Sequence, residues 1–193
     1  VFYLLNIAFF MLGLTATSLV VQQSPLLVEA GWTPVEAGFI VSLFGFALLV
    51  ARVFVGFIID HIFAPRVMTV VSLGGALSCT LYAIYPDAAL VSAILLGLLL
   101  GAEFDILAFM IKRYFGNVAY GRLYGVIFGV FYLGSGLGIA GLSTSRQIFG
   151  NYDVGLYIAA GVLVFCAGLV FLLPRYRYAP GDDVARSPEP VTA

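Results

Sequence analysis

Charge is what this sequence has least of. Nine Lys or Arg and ten Asp or Glu make up 10% of its 193 residues, while hydrophobic residues make up 62%. A soluble domain is roughly a quarter charged, so the shortage excludes a water-facing globular surface and makes the chain an integral membrane protein. A net charge of −1 with no clustered basic face excludes a nucleic-acid partner. Cysteine and histidine are equally scarce, at two and one. Cys79 and Cys166 fall in apolar runs and read as small packing residues rather than a disulfide or metal pair. His61 has no second ligand nearby and reads as a solvated loop residue, so neither a metal nor another cofactor is expected. The opening run Val1–Leu5 lacks a basic leader and a small-residue cleavage site. No signal peptide is expected there, and the start on Val1 leaves room for a longer protein upstream. The short alternating segments of β-barrel strands are also missing.

What the chain does have is long apolar runs. Six stretches reach the about 20 residues that a spanning helix needs, at 2 to 24, 36 to 59, 67 to 85, 88 to 111, 123 to 145 and 154 to 173. The first either stops at Ser24 or continues past Pro25 to Glu29 with the proline bending it. The expected architecture is an all-α bundle of six transmembrane helices over residues 1–173. A polar tail rich in Pro and Gly, residues 174–193, is expected to be disordered in solvent. Eight of the nine basic residues lie in or beside the second, fourth and last connections, and only Arg146 falls near the other face. By the positive-inside rule both termini are cytoplasmic, with the bundle in the cell membrane.

Arg52 stands out because it sits inside an apolar run, about 12 Å from the helix end marked by Asp60. An arginine at such a depth costs about 2.5 to 3.5 kcal/mol on insertion scales. It either faces the bundle interior and holds a carboxylate with its planar fork, or pairs structurally with an acidic residue on another helix. Glu103 and Asp105 are the acidic residues of the fourth span. At i, i+2 they point about 200° apart, so one faces a cavity and the other a helix interface. Asp105 and Lys112 are two turns apart on one face and suit a charge network with Arg113. Glu103 is deeper and is the candidate for proton uptake, because burial disfavours its charged form. An ion pair with Arg52 is the rival reading.

Glycines concentrate in two spans. Gly97-x-x-x-Gly101, and Gly125-x-x-x-Gly129 followed by Gly134, Gly136, Gly138 and Gly141, offer small faces for close helix packing, static or sliding. Tyr114, Phe115, Tyr120, Tyr124, Tyr152, Tyr157, Tyr176 and Tyr178 cluster at span ends and read as interfacial belts. Tyr132 lies mid-span and is a candidate cavity lining. Ser135 has Leu133 two residues before it and the histidine is at a loop, which excludes an intramembrane serine protease. Water-channel and potassium-filter motifs are also missing, so no enzyme or channel is expected.

Gly56-x-x-x-Asp60, preceded by Arg52 and followed after a short turn by Arg66, resembles the cytoplasmic loop signature of the major facilitator superfamily. His61 and Phe63 replace a basic residue and a glycine of that signature, which makes the stretch similar to the weaker copy in the C-terminal half. Gly101-Ala102-Glu103-Phe104-Asp105, Lys112 to Gly116 and Tyr120 to Gly125 resemble helices ten and eleven of the monocarboxylate and oxalate/formate branch. The resemblance covers about residues 1 to 178 and implies a C-terminal six-helix half, helices seven to twelve. Its implied partners are an N-terminal six-helix half, the lipid bilayer, a small organic anion, and a proton or counter-anion. It places Arg52 at the position that holds the substrate carboxylate, and the burial of Glu103 and the mid-span position of Tyr132 add them as further substrate-site candidates. Gly56, Asp60, Arg66, Asp105, Lys112 and Arg113 fall in the gating and charge network. Leu48 stands where an acidic residue is often found, which moves proton coupling from this helix to Glu103, and Leu123 to Ser145 contains no basic residue, so a monocarboxylate is favoured over oxalate. The implied function is secondary transport by alternating access. The alternatives are an oxalate/formate-type antiporter and a half-length binding or scaffold module.

Overall fold

Thr33 and Pro34 show how local sequence sets a helix start. The Thr33 hydroxyl accepts a hydrogen bond from the Glu36 backbone N–H, and the Glu36 carboxylate accepts one from the Thr33 N–H at 2.9 Å. This capping box, with Pro34 in the first turn, satisfies amides that would otherwise lack partners. At the other end of such helices, Gly116 (φ 76°) and Gly150 (φ 79°) adopt backbone angles that side-chain-bearing residues avoid, and the chain leaves the helix there.

The computed structural model describes residues 1–117 and 119–176. The first span comprises α1 (Phe2–Leu12), a π turn (Gly13–Thr17) and α2 (Ser18–Glu29). Then follow α3 (Pro34–His61), α4 (Ala64–Ile84), a 3-10 turn (Pro86–Ala88), α5 (Ala89–Phe115), α6 (Tyr120–Phe149) and α7 (Asp153–Phe171). Among the described residues, six helices are long and apolar enough to cross a membrane. The fold is an all-α bundle of six candidate spans.

The first span runs through Pro25 to Glu29 as one helix, which settles the end left open by the sequence. In a bilayer a proline inside a helix is tolerated because neighbouring groups satisfy the freed backbone. Earlier in the same span, at the π turn, Thr15 Oγ1 donates to the Met11 carbonyl at 2.9 Å and Ser18 Oγ to the Leu14 carbonyl at 2.8 Å. α5 and α6 extend beyond the apolar runs, to Phe115 and from Tyr120 to Phe149. Lys112 and Arg113 fall in the last turn of α5, where cations complement the helix dipole.

Helix packing depends on small residues, because lipid is as apolar as a leucine side chain and burial alone does not hold spans together. On α5, a Cβ at Gly97 would lie 2.6 Å from the Phe44 carbonyl oxygen, and one at Gly101 2.5 Å from that of Leu48. Ala47 and Ala51 of α3 sit against the same two glycines. The first span crosses α6 in the same way, with Gly13 against the Phe131 carbonyl, Gly134 against that of Phe10 and Gly138 against that of Leu14. Gly125, Gly129, Gly136 and Gly141 differ, since no atom lies within 4 Å of a Cβ placed there. One Gly-x-x-x-Gly stretch is therefore a seam within the bundle and the other faces outward.

Polar bonds fasten the Glu29 end. Gln22 Nε2 donates to Ser143 Oγ at 2.6 Å, Gln23 Nε2 donates to the Tyr82 hydroxyl at 2.8 Å, and Arg146 pairs with Glu29 at 2.6 Å. The opposite end is closed by a clasp. The Tyr176 hydroxyl accepts from the Ala64 N–H at 2.7 Å, and Tyr114 donates to the Pro174 carbonyl at 2.6 Å. These two tyrosines are therefore structural ties, whereas Tyr178 and the rest of the expected tail from residue 177 lie outside the described residues.

The α3–α5 seam gives a direct test. Gly101→Ala is expected to lower thermal stability in detergent, with roughly 1 to 3 kcal/mol lost to overpacking. Gly161→Ala, on α7 where no atom lies within 4 Å of a Cβ, is expected to be neutral or stabilising by up to about 1 kcal/mol. Equal melting temperatures for the two variants would contradict the seam.

Candidate functional site

The packing at Gly101 fixes which way Arg52 points. Ala51 is buried against that glycine, and Arg52, one residue on and about 100° around the helix, is exposed. Its side of α3 also carries Gly38, Gly45 and Gly56, each with no atom within 4 Å of a Cβ. α5 packs on both α3 and α6, so it forms the floor between two walls. From that floor Asp105, partly buried, joins Arg52 as an electrostatic neighbour of Tyr124 on α6. Arg52, Asp105 and Tyr124 thus converge from three helices.

Glu103 lies elsewhere. It is 0% exposed, and neither carboxyl oxygen has a hydrogen-bond partner among the described residues. Leu99, one turn earlier, packs against Gly75 of α4, and Cys166 of α7 is an electrostatic neighbour of Glu103. Glu103 therefore points into the helix interior, away from the Arg52 wall, while still feeling the Arg52 charge. Ser72 of α4, also fully buried, lies beside Cys166 in the same interior layer. The two free cysteines, Cys79 and Cys166, are buried on α4 and α7.

Tyr132 on α6 is 56% exposed, with its ring edge-on to Phe128 at 4.8 Å. Asp60 and Arg66 are exposed at facing ends of α3 and α4, and Gly56 is half-buried. Arg66 stands at one end of an apolar groove of about 380 Å³ between those helices. Lys112 lies over the Tyr120 ring at 5.5 Å rather than against Asp105. Arg113 is held between aromatic rings, 5.6 Å from Phe109 and 4.8 Å from Tyr176. Among the described residues the only ion pair within 4 Å is Glu29 with Arg146. His61 is the last residue of α3, exposed, with Nδ1 3.0 Å from the Phe57 carbonyl.

Two groups of residues were missed by the sequence reading. Tyr124, expected only as an interfacial ring, is the electrostatic neighbour of Arg52, with Phe128 and then Phe104 in ring contact beyond it, and the regular four-residue spacing of Tyr120, Tyr124, Phe128 and Tyr132 was the signal that could have found the row on α6. Tyr176 of the clasp left no such signal, because its partner Ala64 is more than a hundred residues earlier.

With this geometry in view, the sequence profile of the Major Facilitator Superfamily matches residues 3–192. The chain belongs to the Major Facilitator Superfamily, a family of secondary transporters, and is a multi-pass membrane protein with the six spans of one half of that bundle. A comparison with curated protein sequences gave no match.

The clasp makes a pH prediction. Burial raises the Tyr176 phenol above its ordinary value of 10.0, while the Ala64 N–H and Arg113 act in the opposite direction. A raised value means that the folded state favours the neutral phenol. Its contribution is then complete below pH 10.0 and lost as pH rises through the raised value. Tyr176→Phe orphans the Ala64 N–H and is expected to cost about 1 kcal/mol near neutrality. In thermal melts from pH 8 upward, the gap between the two proteins should close on the alkaline side; a constant gap would contradict the burial of the Tyr176 phenol.

Proposed function

We propose that the chain is the C-terminal half, helices seven to twelve, of a secondary transporter of small organic anions, monocarboxylates in particular. It works by alternating access against an N-terminal six-helix half. Both termini of this chain lie on the cytoplasmic side of the cell membrane, as the basic residues at that end favour. The observation that carries the proposal is Arg52, a lone cation on an uncovered wall of α3 with Asp105 and Tyr124 beside it. An arginine there is costly in lipid unless something pairs with it, and a substrate carboxylate supplies two oxygens to its fork. One cation balances a monoanion. The fifth span brings no second cation to the wall, since residues 123–145 contain no Lys or Arg.

Glu103 supplies the proton side of the proposal. The Arg52 charge acts on this buried carboxyl, and in a low-dielectric interior such coupling is strong. Full burial disfavours the Glu103 carboxylate, and an anion that neutralises Arg52 removes the nearby charge that opposes this, so the bound anion holds a proton on Glu103. Anion and proton then move together; if Glu103 keeps its charge state throughout, the cycle is anion exchange. Gly56, Asp60 and Arg66 form the hinge and latch at the α3–α4 turn, and Lys112 and Arg113, seated on aromatic rings, mark the same end of α5. Tyr132 lines the substrate path.

Counterflow of labelled pyruvate or lactate into proteoliposomes of the complete protein tests this. Arg52→Ala is expected to weaken apparent affinity roughly 10- to 100-fold, the worth of a charge-assisted hydrogen bond. Arg52→Lys should retain part of the activity, because it keeps charge but loses the fork. Normal transport by both variants would remove Arg52 from the site. Glu103→Gln is expected to abolish proton-driven uptake while sparing counterflow. Uptake that still follows the pH gradient in that variant would exclude Glu103 as the proton carrier.

A further inference from the structure

Along α6, Tyr120, Tyr124 and Phe128 stack face to face, with centroids 5.8 and 5.5 Å apart and interplanar angles of 27° and 21°. Tyr132 continues the row edge-on, and Phe104 tilts in from the α5 floor at 5.4 Å from Phe128. These rings run from the helix start, where Lys112 lies over Tyr120, to about 18 Å deeper along the axis. Beside them Gly121, Gly125 and Gly129 have nothing within 4 Å of a Cβ, so a strip of bare backbone borders the rings. Arg52 and Asp105 are the charged neighbours of Tyr124, the second ring of the row.

A helix packed on the glycine strip would use the small residues and leave the ring edges without a partner. Rings in register, next to a strip without side chains, instead offer flat faces and edges on which another π system lies in offset or edge-on contact. The only arginine within the α3 run stands within electrostatic range of that surface. A short acid such as formate or lactate would engage Arg52 and leave the ring wall untouched.

Resting on the carboxylate reading above, we infer that the anion is a carboxylate on a planar, aromatic or conjugated frame. Its carboxylate meets Arg52 and its ring lies along Tyr124, Phe128 and Tyr132. The glycine strip admits the frame edgewise, and the Tyr124 and Tyr132 hydroxyls are available to a ring substituent.

The test is competition in counterflow by the complete wild-type protein, with benzoate, cinnamate and phenylpyruvate set against formate, lactate and pyruvate. The aromatic acids are expected to compete at least about tenfold more tightly. Phe128→Leu should raise the KM for phenylpyruvate several-fold more than that for pyruvate, with Phe128→Tyr restoring it. Equal or better competition by the short acids, or a Phe128→Leu effect equal for both substrates, overturns the planar frame and leaves the monocarboxylate reading standing. Failure of every carboxylate to compete overturns both.

Discussion

The structure depends on one close approach, that of α3 and α5 at Gly97 and Gly101. With Ala47 and Ala51 seated on those glycines, α3 has a single rotational setting about its axis. Everything the site needs follows from that setting. Arg52 is turned off the seam and left uncovered. Asp105, one turn after Gly101, stays on the seam's side of α5, whereas Glu103, about 200° from Gly101, is carried into the layer shared with α4 and α7. A methyl group at either glycine would meet a backbone carbonyl, which has no rotamer with which to yield.

The seam thereby divides the charges of the bundle into two environments. Arg52 and Asp105 lie beside the open wall, within reach of whatever enters between α3 and α6. Glu103 has no hydrogen-bond partner among the described residues and feels Arg52 only through space. Charges near low-dielectric walls interact over longer distances than in water, so the two carboxylates of one helix lie in different surroundings and both feel Arg52. The ends of the bundle are fastened independently, by Glu29 with Arg146 at one face and by the Tyr176 clasp at the other.

Much of the fold was legible because a bilayer leaves the sequence little choice. Apolar runs of spanning length located all six helices, and the prolines at Pro34 and Pro65 marked true starts. Pro25 was ambiguous because its effect depends on neighbouring groups that sequence does not place. The opposition of Glu103 and Asp105 could be read from their spacing, but which one faced the interior depended on the rotation of α5, a tertiary property. For the same reason Gly97-x-x-x-Gly101 and Gly125-x-x-x-Gly129 look alike as motifs, yet only the first has a helix against it. Tyr114 and Tyr176 matched an interfacial belt by position, and their long-range bonds were invisible without coordinates.

The claim that the seam presents Arg52 to a substrate carboxylate is tested most directly by a dipolar-coupling distance in the reconstituted protein. The measurement uses ¹⁵N-guanidinium arginine and a ¹³C-carboxylate substrate, with Arg52→Lys identifying the signal. The account predicts a contact consistent with N–H···O distances of about 2.8 Å that disappears in the variant. A coupling of unchanged strength in Arg52→Lys, or none in the wild type with bound substrate, would contradict it.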